Sequence, residues 1–287
     1  MFIETTLLFK TLVILCSQII MLLATCFYFL SKAKEAYENN TTLFGVSFKG
    51  SVNLKGKLDL IPYLKPEDTF PKEMVLYKDN DPPLFKEVKD QDEVIKLLKK
   101  GYSHYTKGSW KFVTLFFFNA IALWGTLILV NFFSSNIWIG MTIFTLCSAS
   151  FGPLLAIIML QMDENDGFTA LKIVLIVTLL TGFIGYGDFY SFSQNSIFGA
   201  TLSLSLFGLL IFHFVRFYKD FSRNTVKAAA IFGSILFSLF LLYDFNYIKM
   251  QEGALGSNDW GTAMRMAFIL YLDIINLLLE ILEAMGD

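Results

Sequence analysis

The chain is poor in charge. Only 17% of its 287 residues are Asp, Glu, Lys or Arg, and 23 basic residues face 25 acidic ones. So even a balance offers no basic stripe, and the patch-and-stacking pattern of a nucleic-acid binder is missing. No nucleic-acid partner is expected. Cysteine is scarce as well. Cys16, Cys26 and Cys147 each sit in an apolar stretch without paired spacing. Three such thiols give neither a disulfide framework nor a zinc site, and the plain expectation is that all three are small buried hydrophobes. Of the two histidines, His104 lies in a polar stretch and His213 in an apolar one. So far apart, they do not make a metal centre. Proline is rare too, and five of the six fall between residues 62 and 83.

Apolar surface is what the chain has in excess. More than half of it, 55%, is hydrophobic, 16% is aromatic, and phenylalanine alone contributes 31 residues. The charges are clustered, leaving long uncharged runs that a soluble domain of this length could not cover. These features predict an all-α integral membrane protein that crosses the bilayer several times. A helix needs roughly 20 apolar residues to cross, and seven stretches qualify: Thr5–Leu30, Phe112–Phe133, Ile137–Met162, Thr169–Tyr186, Ser196–Phe217, Val226–Tyr247 and Ala263–Met285. The first could instead be a secretory signal with Lys10 in its basic region. Its apolar run is too long for that and Glu4 has the wrong sign, so a retained span is preferred. Ser17, Gln18 and Thr25 within it are expected to face other helices, where hydroxyls and amides find partners.

Three divisions follow: a first transmembrane helix over residues 1–32, a polar water-facing insert over 33–111, and a six-helix membrane core over 112–287. In the insert, Leu43–Leu60 alternates apolar and polar residues with Gly50 and Gly56 as breaks, which predicts a small hairpin. The proline-punctuated middle reads as loop, and Gln91–Tyr102 as a short amphipathic helix ended by Gly101. The insert could bind a protein partner or serve only as a solvated spacer. Within the core, Gly152–Pro153 should kink the third span. Small residues such as Gly182, Gly185, Gly199, Gly208 and Gly233 should let helices approach closely. The acidic stretch Asp163–Gly167 reads as a compact loop. It resembles the start of a calcium loop but lacks the downstream glutamate.

Chemistry is expected on the last two spans. Each carries an aspartate, Asp244 and Asp273, and a carboxylate within a membrane segment is costly unless it faces the protein interior or a water path. On the last span Asp273, Asn276 and Glu280 share one face at helical spacing. Arg265 and Ile269 are expected to extend that stripe toward its start, and Glu283 toward its end. A helix so marked suits the centre of a bundle better than its rim. Low dielectric disfavours charge and two like charges disfavour double ionisation, so a close pair of aspartates shares a proton and titrates as a unit. Carboxylate oxygens also suit calcium. The plainer alternative is that Asp273 only hydrogen-bonds a neighbouring helix.

The phrases around these acids resemble a known family. LLYDFNYIK, then LYLDIINLLLEILEAMG after a short polar loop, are similar to the end of the Bax inhibitor-1 family. The resemblance is strongest over Gly233–Gly286 and continues in SASFGPLLAII (Ser148–Ile158) and in Thr169–Phe192. It implies seven transmembrane helices with the last one central, and a pH-sensitive calcium leak with Asp244 and Asp273 as sensor and gate. No cofactor is implied beyond calcium as a permeant or transiently bound ion, so the working partners would be the bilayer, calcium and protons. Some members pair these acids with a basic residue at the end of the second span; Leu129–Asn136 has none. The insert also departs from the short link usual there. A proton-coupled transporter and a non-conducting regulator of the stress or cell-death type remain as alternatives. An enzyme is not expected: an intramembrane aspartyl protease needs glycine–any–glycine–aspartate, which neither YDFN nor YLDI supplies. Orientation is pulled two ways. Arg216, Lys219, Arg223 and Lys227 place the C-terminal side in the cytosol by the positive-inside rule, whereas the resemblance implies a cytosolic N-terminus.

Overall fold

The computed structural model describes residues 5–39, 43, 47–52, 58–63, 73–76, 83–89, 91–104, 117, 121, 137–160, 164–187, 189–216, 218–252, 254 and 256–286. The expected span Phe112–Phe133 lies almost wholly outside them.

Among the described residues, six long helices belong to the membrane part: α1 (Leu7–Glu38), α3 (Ile137–Leu160), α4 (Glu164–Tyr186), α5 (Ser196–Arg216), α6 (Arg223–Glu252) and α7 (Trp260–Met285). A short helix, α2 (Gln91–Lys99), precedes α3 in the polar region. The first five long helices have the length and apolar composition to cross a bilayer. With the apolar content of the chain, they make it an all-α, multi-pass integral membrane protein. Helix α7 is equally long, but Arg265, Asp273, Glu280 and Glu283 make it a poor helix to face lipid alone. The packing agrees, since sixteen of its 26 residues are buried and it rests against α1, α3, α4 and α6. By contrast, α5 buries only Leu202 and Leu209, and its Leu204, Phe207, Leu210 and Phe214 point outward. The last helix is the hub and α5 belongs to the rim.

Lipid tails are as apolar as leucine, so close contact rather than water exclusion holds such helices together. The glycines show where contact is tightest. A Cβ on Gly185 of α4 would lie 2.5 Å from the Leu242 carbonyl oxygen of α6, so these two backbones nearly touch. On α3, a Cβ at Gly152 would fall 2.7 Å from the Leu22 carbonyl oxygen of α1. Among the described residues, nothing approaches Gly208 within 4 Å. Aromatic edges complete the centre: Phe144 of α3 meets Phe268 and Tyr271 of α7 edge-on, at 5.2 and 5.0 Å between centroids.

Several expectations about single residues need correction. Helix α1 runs to Glu38, well past Leu30, carried by alanines and a Lys32–Glu35 pair at 2.6 Å. Gln18 is buried and donates to Thr145 of α3 at 3.2 Å, as a polar residue in a span should. Ser17 is exposed and donates instead to the Ile14 carbonyl of its own helix at 2.7 Å. Cys26 and Cys147 are buried, but Cys16 is exposed on the outer face of α1. Helix α3 continues through Pro153. The stretch from Glu164 to Gly167 is the first turn of α4, not a loop; acids at a helix start complement the positive end of its dipole.

In the polar region, β1 (Ser47–Val52) and β2 (Leu58–Tyr63) pair antiparallel, with Ser47 opposite Tyr63. The pair rests against α1 and α3. The proline-rich middle, expected as loop, contains β3 (Glu73–Leu76) and β4 (Leu84–Glu87). With β5 (Ser103–His104) these form a three-stranded antiparallel sheet with β3 in the centre. Four-residue strands beside prolines leave too little alternation to detect. Met74 and Val75 of β3 are buried, and Met74, Val88 and Leu97 form a small core beside Tyr102. Gly101 ends α2 in the left-handed region at φ 84°, a conformation glycine reaches without steric cost.

Candidate functional site

Asp244 and Asp273 come together where α6 and α7 pack side by side. Asp273 is buried and Asp244 half-buried, and the two carboxyl groups lie within side-chain hydrogen-bonding range of each other. One oxygen of Asp273, Oδ2, has no hydrogen-bond partner. Two carboxyls so placed are like charges whenever both ionise, which low dielectric makes costly. Two carboxylates are too few for a resident calcium ion, which takes six to eight oxygens. Among the described residues no group of three or more His, Cys, Asp or Glu side chains converges on one point.

Just past Asp244, Asn246 fixes the surroundings. It is buried, with 1% of its surface exposed. Its Oδ1 accepts from the Ser193 N–H at 2.9 Å and from the Ser193 hydroxyl at 2.8 Å. Its Nδ2 donates to the carbonyls of Gly185 at 2.9 Å and Tyr190 at 3.1 Å. One amide thus ties the connection between α4 and α5 to the helix that carries Asp244.

The rest of the expected stripe divides. Asn276 and Glu280 line a separate cavity of about 260 Å³ between α5, α6 and α7, together with His213, Arg216 and Glu283. Glu280 is buried, and its Oε1 lies 3.2 Å from His213 Nε2. Glu283 Oε1 accepts from Arg216 of α5 and from Arg223 of α6, each at 3.1 Å. Arg223 also donates to the carbonyl of Glu283 in the last turn of α7 and to that of Gly286 just past it, where a cation complements the helix dipole. Arg265 does not join either group. It is exposed, in the first two turns of α7; eight residues before Asp273, it points about 80° away from it around the helix.

His213, Asn246 and the two arginines were not singled out as site residues from the sequence. A signal did exist for the arginines. With spans alternating in direction, the end of α5, the start of α6 and the end of α7 fall on one side, so the basic loop and the acidic helix end had to meet. His213 lies one turn before Arg216 and inherits the same side. Lys10 supplies the matching tie at the opposite end, donating to Asn258 at its carbonyl (2.8 Å) and its side-chain oxygen (3.0 Å). The α7 start itself is capped by Asp259, which accepts from the N–H groups of Gly261 at 2.7 Å and Thr262 at 3.0 Å.

Among known protein families, the one described as inhibitor of apoptosis-promoting Bax1 has a model that matches residues 98–287. The match covers α3 to α7 with both aspartates, while α1 and the chain up to residue 97 precede it. Because that match spans well over half of the sequence, the chain belongs to the Bax inhibitor-1 family.

Proposed function

We propose that this protein is a pH-sensitive calcium leak of the membrane, in which Asp244 and Asp273 are the sensor and the gate. The observation that carries this reading is the meeting of two carboxyl groups from neighbouring helices at the centre of a membrane bundle. A charged pair there has no structural need that apolar residues would not meet better, since replacing a buried ionic group by packed hydrophobes is often neutral or stabilising. Buried acids inside membrane segments are instead the usual mark of an ion or proton path.

The mechanism follows from the proton count. At low pH the pair keeps at least one proton, the carboxyls share a hydrogen bond, and α6 and α7 stay together. As pH rises the last shared proton leaves and both groups carry charge. They repel each other and attract a divalent cation, whose preferred ligands are carboxylate oxygens. Flux should therefore increase with pH. A proton-coupled transporter would use the same acids, but its expected inverted repeat is not evident in the sequence.

The test is calcium flux into proteoliposomes between pH 5 and pH 8, for the wild type, Asp244→Asn and Asp273→Asn. The expected result is wild-type flux that rises with pH and loses that dependence in either variant. Correctly inserted wild-type protein that passes no calcium at any pH refutes the reading.

A further inference from the structure

We infer that Glu280 is a second cation station on the same path, and that the cavity between α5, α6 and α7 is the vestibule by which the ion leaves on the C-terminal side. This rests on the calcium-leak reading and adds a route to it. Glu280 follows Asp273 by seven residues on α7, which places it about 10 Å further along the axis and only about 20° around it. An ion released by the aspartate pair and moving along that face meets Glu280 next.

The surroundings of Glu280 are those of a site rather than of a structural ion pair. The two arginines nearest the cavity are already engaged. Arg216 binds Glu283, and Arg223 binds both Glu283 and the α7 carbonyl ends. Glu283 is thus neutralised twice, whereas among the described residues Glu280 meets only His213, which carries charge only when protonated. Glu280 is 93% buried (7% exposed), and its second oxygen, Oε2, has no hydrogen-bond partner. An orphaned carboxylate oxygen in such a place loses its hydration without return unless something positive comes to it. Helix α6 makes room for it. A Cβ on Gly233 would lie 2.5 Å from the Glu280 carboxyl carbon and 2.8 Å from both oxygens, so glycine alone leaves the notch in which this carboxyl sits.

The cavity has the size for a hydrated ion. Its volume of about 260 Å³ holds several waters at ~30 Å³ each. Asn276 lines it one turn from Glu280 on the same helix and offers an amide oxygen. The remaining wall is Leu206, Leu209, Leu210, Phe237 and Leu279, which leaves the polar groups as the places where an ion would pause. Because His213, Glu280 and Glu283 do not converge on one point, the station is transient. The ion keeps most of its water and is held by one carboxylate.

The test measures initial calcium flux against calcium concentration in proteoliposomes of the full chain, for wild type, Glu280→Gln, Glu280→Asp and Asp273→Asn. Gln is isosteric and removes only the charge. The half-saturating calcium concentration is expected to rise about tenfold in Glu280→Gln, the usual cost of one charged ligand, while the rise of flux with pH persists. Glu280→Asp should restore part of the affinity. Asp273→Asn should lose the pH dependence instead. If Glu280→Gln and wild type share one saturation curve while Asp273→Asn is altered, the station is refuted and the aspartate gate stands. If wild type and Asp273→Asn are equally silent, the leak itself fails and the station with it. Should Glu280→Gln not insert, Gly233→Ala probes the same carboxyl from α6 and is expected to shift half-saturation in the same direction; an unchanged curve there also overturns the inference.

Discussion

Replacing Asn246 by alanine should cost far more than an exposed amide would. The side chain makes four hydrogen bonds, two accepted from Ser193 and two donated to the carbonyls of Gly185 and Tyr190, all between 2.8 and 3.1 Å. Each is worth about 1 kcal/mol net, and a buried partner left unsatisfied adds a penalty of about 1–3 kcal/mol. The Gly185 carbonyl lies against α6 and cannot turn to water, so it bears that penalty; the Ser193 hydroxyl can rotate and bears less. The total comes to roughly 5–7 kcal/mol, a large part of the stability of an ordinary domain.

The assay is thermal unfolding of purified protein in detergent, followed by the far-ultraviolet helix signal, beside Asn246→Asp. Aspartate keeps both bonds from Ser193 but cannot donate to the two carbonyls. It also places a third acid half a turn from Asp244. It should therefore be destabilised nearly as much as alanine, and the loss should grow as pH rises and the new acid ionises. If Asn246→Ala unfolds within about 1 kcal/mol of wild type, the bonds are not holding the α4–α5 connection and the argument fails.

Two further outcomes follow from the ends and contacts of the helices. Burial works to raise the Asp259 carboxyl, and the hydrogen bonds from Thr262 and Gly261 outweigh it, leaving the group below its ordinary value. Its contribution is therefore fully present above the unfolded value, near pH 4, and is lost as pH falls through the folded value. Asp259→Ala should cost about 1 kcal/mol at neutral pH, and the gap to wild type should close in melts taken below pH 4. Gly185→Ala should push α4 from α6, because the added methyl meets the Leu242 carbonyl oxygen at 2.5 Å; overpacking of this kind costs about 1–3 kcal/mol, and a melting temperature equal to wild type would show that the helices can part without loss.

Much of the membrane architecture was legible because bilayers impose a strong rule on sequence. The runs at 137–162, 169–186, 196–217 and 226–247 each correspond to a long helix, with ends displaced by a few residues. Polar ends were hardest to place. Helix α6 continues through Lys249 to Glu252 because Tyr186 hydrogen-bonds Glu252 and Lys249 lies over the Tyr186 ring at 4.7 Å, contacts made with a helix 60 residues away. The strands β3 and β4 escaped notice for the opposite reason: they are short, and their pairing is with each other and β5, not with a local pattern. At the site, the stripe on α7 was visible as spacing, but spacing cannot say which neighbour each position meets. That is why Asp273 and Glu280, about 20° apart on one helix, find different partners, and why Arg265 drops out.

The same geometry explains why the last helix can carry so many polar groups without being expelled from the bundle. Its acids are distributed along its length and each meets a different answer: Asp273 meets Asp244, Glu280 meets His213 at one oxygen while the other is unpaired, and Glu283 meets two arginines. Only the last of these answers is a permanent opposite charge. Moving from the centre of the bundle to the C-terminal end, the compensation goes from another acid, through an imidazole, to fixed cations. Under the proposed gate, the charge that changes sits where the two aspartates meet, and the two arginines on Glu283 hold the far end of α7. A helix clamped at one end in this way could part from α6 at its middle without leaving the bundle, which is the motion that the proposed opening at Asp244 and Asp273 requires.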